Sequence, residues 1–224
     1  MKKSKKKKRI SSKLLAAIII LAAVVLLLKQ EEKTEKTSSG FSAPETGIVE
    51  KVYDGDSLRL TNKVPIRLIG IDCPEKDTPY SEEAGKFTTK LLEGHKIKLE
   101  YDKEKKDKYG RFLAYVLYKE NSKWKIVNIE IIRAGLAYAY SIKPNILHRK
   151  EIIQAQEEAR RNKLGVWKQQ LKKEKEYIVV WGSKFGITHR PKCEKIMNRK
   201  NIERFKTREE ALDTGSPPCR ICRP

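Results

Sequence analysis

Ile66-Arg67-Leu68-Ile69-Gly70-Ile71-Asp72-Cys73-Pro74-Glu75 is the stretch that decides how this chain is read. Ile66 to Ile71 reads as a strand, aliphatic but for Arg67 and Gly70. The stretch ends on two carboxylates three residues apart. Upstream, Ser57-Leu58-Arg59-Leu60 alternates polar and apolar residues, and Thr61-Asn62-Lys63 turns the chain. Two apolar runs joined by a short polar turn predict a hairpin. Asp56, heading the first arm, would then approach Asp72 at the end of the second.

Further strands and helices extend outward from this hairpin. Ile48, Val49 and Val52 precede the turn Asp54-Gly55. Ser81 reads as an N-cap with Glu82 and Glu83 in the first turn, and Ala84, Phe87, Thr88, Leu91 and Leu92 recur at helical spacing up to Gly94. Ile97 to Tyr101 reads as a strand. Phe112 to Tyr118 is almost wholly apolar, as a strand covered on both faces would be. Val127 to Leu136 reads as a short helix, and Ile146 to Lys163 as a longer one capped by Asn145. Trp167, in Leu164-Gly165-Val166-Trp167, reads as a core plug. Short strands with interspersed helices predict an α+β domain, a small closed barrel with helices.

Asp56, Arg67, Asp72, Glu75 and Arg111 all fall at the ends of these runs. Carboxylates can hold a hard divalent cation, and guanidiniums can grip a phosphate bidentately. Singly, Asp54-Gly55-Asp56 is an ordinary turn and Tyr109-Gly110-Arg111 an ordinary hairpin end. Together they suit phosphodiester cleavage. The 224-residue chain has a formal net charge of +21, spread over both 47–172 and 173–224. That suits a phosphate polymer, and equally a lysine-coated surface.

These segments resemble the staphylococcal (micrococcal) nuclease family over roughly residues 47–170. The motifs carrying the resemblance are Asp54-Gly55-Asp56-Ser57, Arg67-Leu68, Asp72-Cys73-Pro74-Glu75, Asp107-Lys108-Tyr109-Gly110-Arg111, Gly135-Leu136-Ala137, Lys143-Pro144-Asn145 and Leu164-Gly165-Val166-Trp167. The resemblance implies a five-stranded OB-fold barrel with three helices and a calcium-dependent endonuclease on DNA and RNA that leaves 3′-phosphate ends. Under it Asp56, Asp72 and the Cys73 carbonyl hold Ca²⁺, Glu75 handles the attacking water, and Arg67 and Arg111 clamp the phosphate. Lys108, Tyr109 and Tyr140 contact the nucleotide. The family commonly has Thr at Cys73, which a backbone ligand tolerates. Gly135 to Lys143 is one residue shorter than in the family, so Tyr138 stands as the alternative to Tyr140. Lys143–Pro144 is a candidate cis bond. The rival reading is an OB-fold that binds nucleic acid without cutting it; retention of all five site residues argues against it. A monomer is expected.

Residues 1–9 are a basic block, and Leu14 to Leu28 are apolar without a break. The 10–28 segment reads as a transmembrane signal-anchor, short but workable if Lys13 and Lys29 snorkel, with a cleaved signal peptide as the alternative. The charge bias places 1–9 in the cytoplasm and the rest outside a bacterial membrane, or secreted if cleaved. Residues 29–46 read as a polar linker, and 47–172 as the nuclease domain.

Residues 173–224 read as a second, small α+β unit. Tyr177 to Trp181 is strand-like, and Thr207-Arg208-Glu209-Glu210 is a capping box whose helix Gly215 stops. His189-x₃-Cys193 and Cys219-x₂-Cys222 have the spacing of a structural Zn²⁺ site. This resembles the zinc module of the bacterial Ada-type DNA alkylation-repair proteins, with His189 replacing the cysteine that accepts the methyl group there. That replacement argues against repair chemistry, and the apolar N-terminal run against a zinc-dependent transcription or repair factor. A Cys219–Cys222 or Cys193–Cys222 disulfide is the rival. Lys192, Lys195, Arg199, Lys200, Arg204 and Lys206 would make the unit a DNA-holding accessory. Cys73 reads as a packed thiol, and His95 and His148 as surface residues.

Overall fold

Three short strands follow one another because Asp54-Gly55 and Asn62-Lys63 reverse the chain between them: β1 (Thr46–Val52), β2 (Ser57–Leu60) and β3 (Pro65–Leu68). They form an antiparallel meander, with Ser57 opposite Arg67. The computed structural model describes residues 43–169, 171 and 173–224, and Ala43–Pro224 is one unit. The 1–9 and 10–28 segments and most of the 29–46 linker lie outside the described residues. Among the described residues no helix is long and apolar enough to cross a membrane.

β1 pairs on its other edge with β5 (Lys96–Lys106), and β5 with β6 (Phe112–Glu120). The sheet closes where β3 runs parallel to β6, Ile66 opposite Phe112 and Leu68 opposite Ala114. This five-stranded closed barrel is the one expected. Val49, Leu58, Leu60, Ile66, Leu68 and Ile97 are buried in its core. Around it lie α1 (Ser81–Leu92), α2 (Val127–Arg133) and α3 (Arg149–Arg161). β6 has Phe112, Ala114, Tyr115, Val116 and Tyr118 buried, in line with its continuous apolar run.

One buried amide ties α2 to the barrel. Asn128 accepts the Val116 N–H (2.9 Å) and donates to the carbonyls of Ile69 (2.8 Å) and Ala114 (3.3 Å). It thereby satisfies backbone groups where β3 gives way to β4 (Gly70–Asp72).

Several local expectations need correction. Ser81 lies inside α1; the residue before the helix is Tyr80 at φ 69, with no side-chain cap, and the Ser81 N–H goes to the Thr78 carbonyl (3.1 Å). Asn145 does not cap α3. Its amide is spent on both backbone groups of Glu104 (2.8 Å each), so the chain turns through Ile146–His148 and the helix begins at Arg149. His148 is not a surface residue: Nε2 lies 2.8 Å from Glu100 Oε2 and the ring stacks edge-on against Tyr115. His95 is exposed, as read. Two strands of the barrel domain carried no sequence signal. β7 (Lys123–Ile126) extends β6 as a hairpin, and β8 (Tyr138–Tyr140) exists by pairing with β4.

The carboxy-terminal region is a three-stranded sheet, β9 (Tyr177–Trp181) between β10 (Gly186–His189) and β11 (Ile202–Phe205). α4 (Arg208–Asp213) opens on the capping box, Thr207 Oγ1 accepting the Glu210 N–H and Glu210 accepting the Thr207 N–H. Gly215 follows at φ 78. This region packs on the barrel domain. Leu212 joins Ala159, Val166 and Trp167 in one apolar cluster, and Arg160 grips Asp213 with two 2.8 Å bonds. Fully buried Gln156 accepts the Ala139 N–H of β8 and donates to Asp213 of α4.

Candidate active site

Gly55 sets the position of the first carboxylate. A Cβ there would lie 2.5 Å from Cys73 Sγ and 2.8 Å from the Ala84 methyl, so only glycine lets the Asp54–Asp56 turn pack this closely. The turn is held by Asp54 Oδ1 accepting the Asp56 N–H (2.9 Å) and by Thr88 Oγ1 donating to the Gly55 carbonyl (2.8 Å). Asp56 is 6% exposed, and its Oδ2 accepts the Cys73 N–H (2.9 Å).

Arg67 reaches in from β3. Its Nη1 pairs with Asp56 Oδ1, and its Nη2 lies 3.6 Å from Asp72 Oδ1. It also donates to the backbone carbonyls of Asp56 and Leu68 (3.3 Å each) and Ile71 (3.4 Å). Asp72 ends β4 opposite Tyr138. Glu75 lies in the following loop and is about half exposed.

Arg111 is placed by Asp107, the first residue of its motif, to which sequence alone assigns no role. Asp107 accepts the N–H groups of Tyr109 (2.9 Å) and Arg111 (3.0 Å) with one oxygen and Arg111 Nε (2.8 Å) with the other. Gly110 allows the tight turn at φ 82. An aspartate two to four residues before the N–H groups it accepts is a turn signal that could have been read.

Asp56, Arg67, Asp72, Glu75 and Arg111 therefore border one cleft of about 1240 Å³. Burial raises the Asp56 pKa to about 6, with Arg67 opposing the rise. Burial also raises that of Asp72, against the pull of Arg220 and Arg67. For Arg67, burial alone would lower the pKa, but Asp56 and Asp72 outweigh it and hold the guanidinium charged. A buried and a half-buried carboxylate that are costly to keep ionised fit a hard divalent cation, which would offset that cost. The Cys73 thiol is buried, with burial pushing its pKa far up, so it behaves as packing.

An adjoining groove is bordered by Lys108, Tyr109, Arg111 and Tyr140. Tyr109 is 72% exposed, with Lys108 Nζ 5.0 Å from its ring centre. Tyr138 lies elsewhere, its ring against Trp167 (5.4 Å) and its hydroxyl on Arg208. Of the two candidates, only Tyr140 borders this groove with Tyr109. The Lys143–Pro144 bond is cis.

A second cluster lies in the carboxy-terminal region. His189, Cys193, Cys219 and Cys222 each bring one ligand atom within 4.8 Å of the others. All four cysteines of the chain are free thiols. Burial, followed by Arg199, lowers the His189 pKa and favours the neutral imidazole that binds metals. Three soft thiols and an imidazole suit tetrahedral zinc.

The family model for staphylococcal nuclease homologues matches residues 65–169. The thermonuclease of Staphylococcus intermedius is 38% identical over 141 residues, covering 59% of this chain and 82% of the relative. That of Staphylococcus hyicus is 38% identical over 133 residues, covering 55% and 76%. Endonuclease YncB of Bacillus subtilis is 32% identical over 130 residues, covering 53% and 60%. With the barrel and the cleft in place, these matches show that the chain belongs to the staphylococcal nuclease homologue family and is a nuclease-type hydrolase.

Proposed function

We propose that this nuclease is a calcium-dependent endonuclease that hydrolyses DNA and RNA at the 5′ P–O bond, leaving 3′-phosphate ends. The observation carrying this reading is the convergence of three carboxylates and two guanidiniums on one cleft. Asp56, Asp72 and the Cys73 carbonyl would hold Ca²⁺, which when bound polarises a phosphoryl oxygen and neutralises developing charge. Arg67 and Arg111 hold the non-bridging oxygens and stabilise the charge gained as phosphorus becomes five-coordinate. Glu75 takes a proton from the attacking water as the water oxygen bonds to phosphorus. The bond to the 5′ oxygen breaks, and that oxygen leaves as a hydroxyl after taking up a proton from solvent water. Tyr109 and Tyr140 contact the nucleotide, with Lys108 at a terminal phosphate.

Plasmid and RNA digestion with Ca²⁺, Mg²⁺ or EGTA tests the reading. Cutting should require Ca²⁺, and Glu75→Gln should lower kcat on the order of 10²-fold. Calcium-independent cutting would overturn the mechanism. A wild-type chain that binds single strands without cutting them would favour the non-catalytic OB-fold reading.

The His189, Cys193, Cys219 and Cys222 cluster is assigned to one structural Zn²⁺. Metal analysis of the purified chain should give about one zinc per molecule. Cys193→Ser should lose that zinc and lower the thermal midpoint; an unchanged midpoint in a zinc-free chain would sink the assignment. The placement is a single-pass anchor at residues 10–28 with the catalytic domain outside the cell, the chain acting as a monomer. Fractionation of intact cells with N-terminal sequencing separates anchored from secreted protein.

A further inference from the structure

The Cys219-Arg220-Ile221-Cys222 turn reaches the catalytic cleft. Its backbone is tied to β10 by the Cys219 N–H, which donates to the Thr188 carbonyl (2.8 Å), and just beyond that strand the Arg190 N–H donates to Cys222 Sγ (3.3 Å). From between the two cysteines, Arg220 extends its guanidinium to the acidic wall of the site. Its Nη2 lies 2.5 Å from Glu75 Oε1 and 3.2 Å from Asp72 Oδ1. The side chain is 63% exposed and borders both the cleft of Asp56, Arg67 and Arg111 and the groove of Lys108, Tyr109 and Tyr140.

We propose that Arg220 is a third phosphate-binding guanidinium of the nuclease site, delivered from the carboxy-terminal region by the metal-ligating turn. The inference rests on the nuclease reading above. One amino group of Arg220 is shared between two carboxylates, and among the described residues its Nε and Nη1 have no hydrogen-bond partner. That leaves the N–H groups of Nε and Nη1 free to donate to phosphate oxygens. Its place where the cleft meets the tyrosine-lined groove is where a polynucleotide passing through the site would present the phosphate next to the scissile one. The Cys219 and Cys222 thiols flank Arg220, so a metal held by the cluster fixes the stem from which it projects. Loading of that cluster would thereby govern phosphate binding in a cleft it does not itself border.

The test uses the full chain with Arg220→Ala and Arg220→Lys. Readouts are zinc content, cleavage of a single-stranded oligonucleotide, and affinity for its phosphorothioate analogue across a salt series in Ca²⁺. The expected result for Arg220→Ala is zinc content equal to wild type, about tenfold weaker binding, and a salt slope shallower by about 0.7, one phosphate contact on a single strand. Arg220→Lys should restore the slope but not the full affinity, because an ammonium lacks the fork. Cys222→Ser, retaining Arg220 but losing a metal ligand, should weaken binding as Arg220→Ala does. Unchanged binding and slope in Arg220→Ala, or tighter binding, would overturn the proposal while wild-type cutting leaves the nuclease reading intact. A wild-type chain that does not cut removes the nuclease reading itself.

Discussion

Replacing Arg67 by alanine is expected to lower kcat on a defined oligonucleotide on the order of 10³-fold at saturating Ca²⁺. Two losses combine in that figure. The first is a guanidinium aimed at the charge that develops on phosphorus. The second is electrostatic: Arg67 pairs with buried Asp56 and approaches half-buried Asp72, and nothing else among the described residues pairs with Asp56 by a salt bridge. Without Arg67 those carboxylates shift further towards their protonated forms, which are poor cation ligands. Arg67→Lys should recover little, since one ammonium cannot span both carboxylates and a phosphate. Steady-state rates over a Ca²⁺ titration separate the losses. Excess Ca²⁺ should recover the electrostatic part and leave the phosphate part. An Arg67→Ala rate within a few-fold of wild type would remove Arg67 from the clamp.

The largest effect on stability is expected at Asn128, which is fully buried. Asn128→Ala leaves the Val116 N–H and the Ile69 carbonyl without the partners they have in the barrel wall. Burying these groups unpaired, with the void left by the amide, should cost about 3 kcal/mol. For a domain of this size that lowers the thermal midpoint by roughly 10 °C. Calorimetry checks it. Asn128→Asp should be no better, because a carboxylate accepts from Val116 but cannot donate to Ile69 and would be buried charged. A midpoint shift under about 2 °C would show that water or backbone adjustment replaces the amide.

The barrel was legible because its strands carry strong alternation or continuous apolar runs, and because glycine, asparagine and lysine turns sit between them. β7 and β8 were not. Lys123-Trp124-Lys125-Ile126 has the composition of a solvated loop, and a three-residue strand such as β8 is made by its partner β4. The helix starts were misread for a related reason. Ser81 and Asn145 are good caps by chemistry, but Pro79-Tyr80 already turns the chain into α1, and Asn145 is claimed by Glu104, 41 residues away. At the site, the five central residues lie at run ends that sequence can mark. Arg220 carries no such mark, since it stands 148 residues from Asp72 in a turn whose cysteines draw all the attention.

The parallel contact between β3 and β6 also bears on when this chain can act. Arg67 lies on one side of that contact, opposite Leu113, and Arg111 immediately precedes the other. The clamp is therefore assembled only when the last gap in the barrel is sealed, by residues that lie some forty-five positions apart. A growing or partly folded chain holds its two arginines on separate pieces and has no competent cleft. The clamp is thus a property of the closed barrel and of neither strand alone.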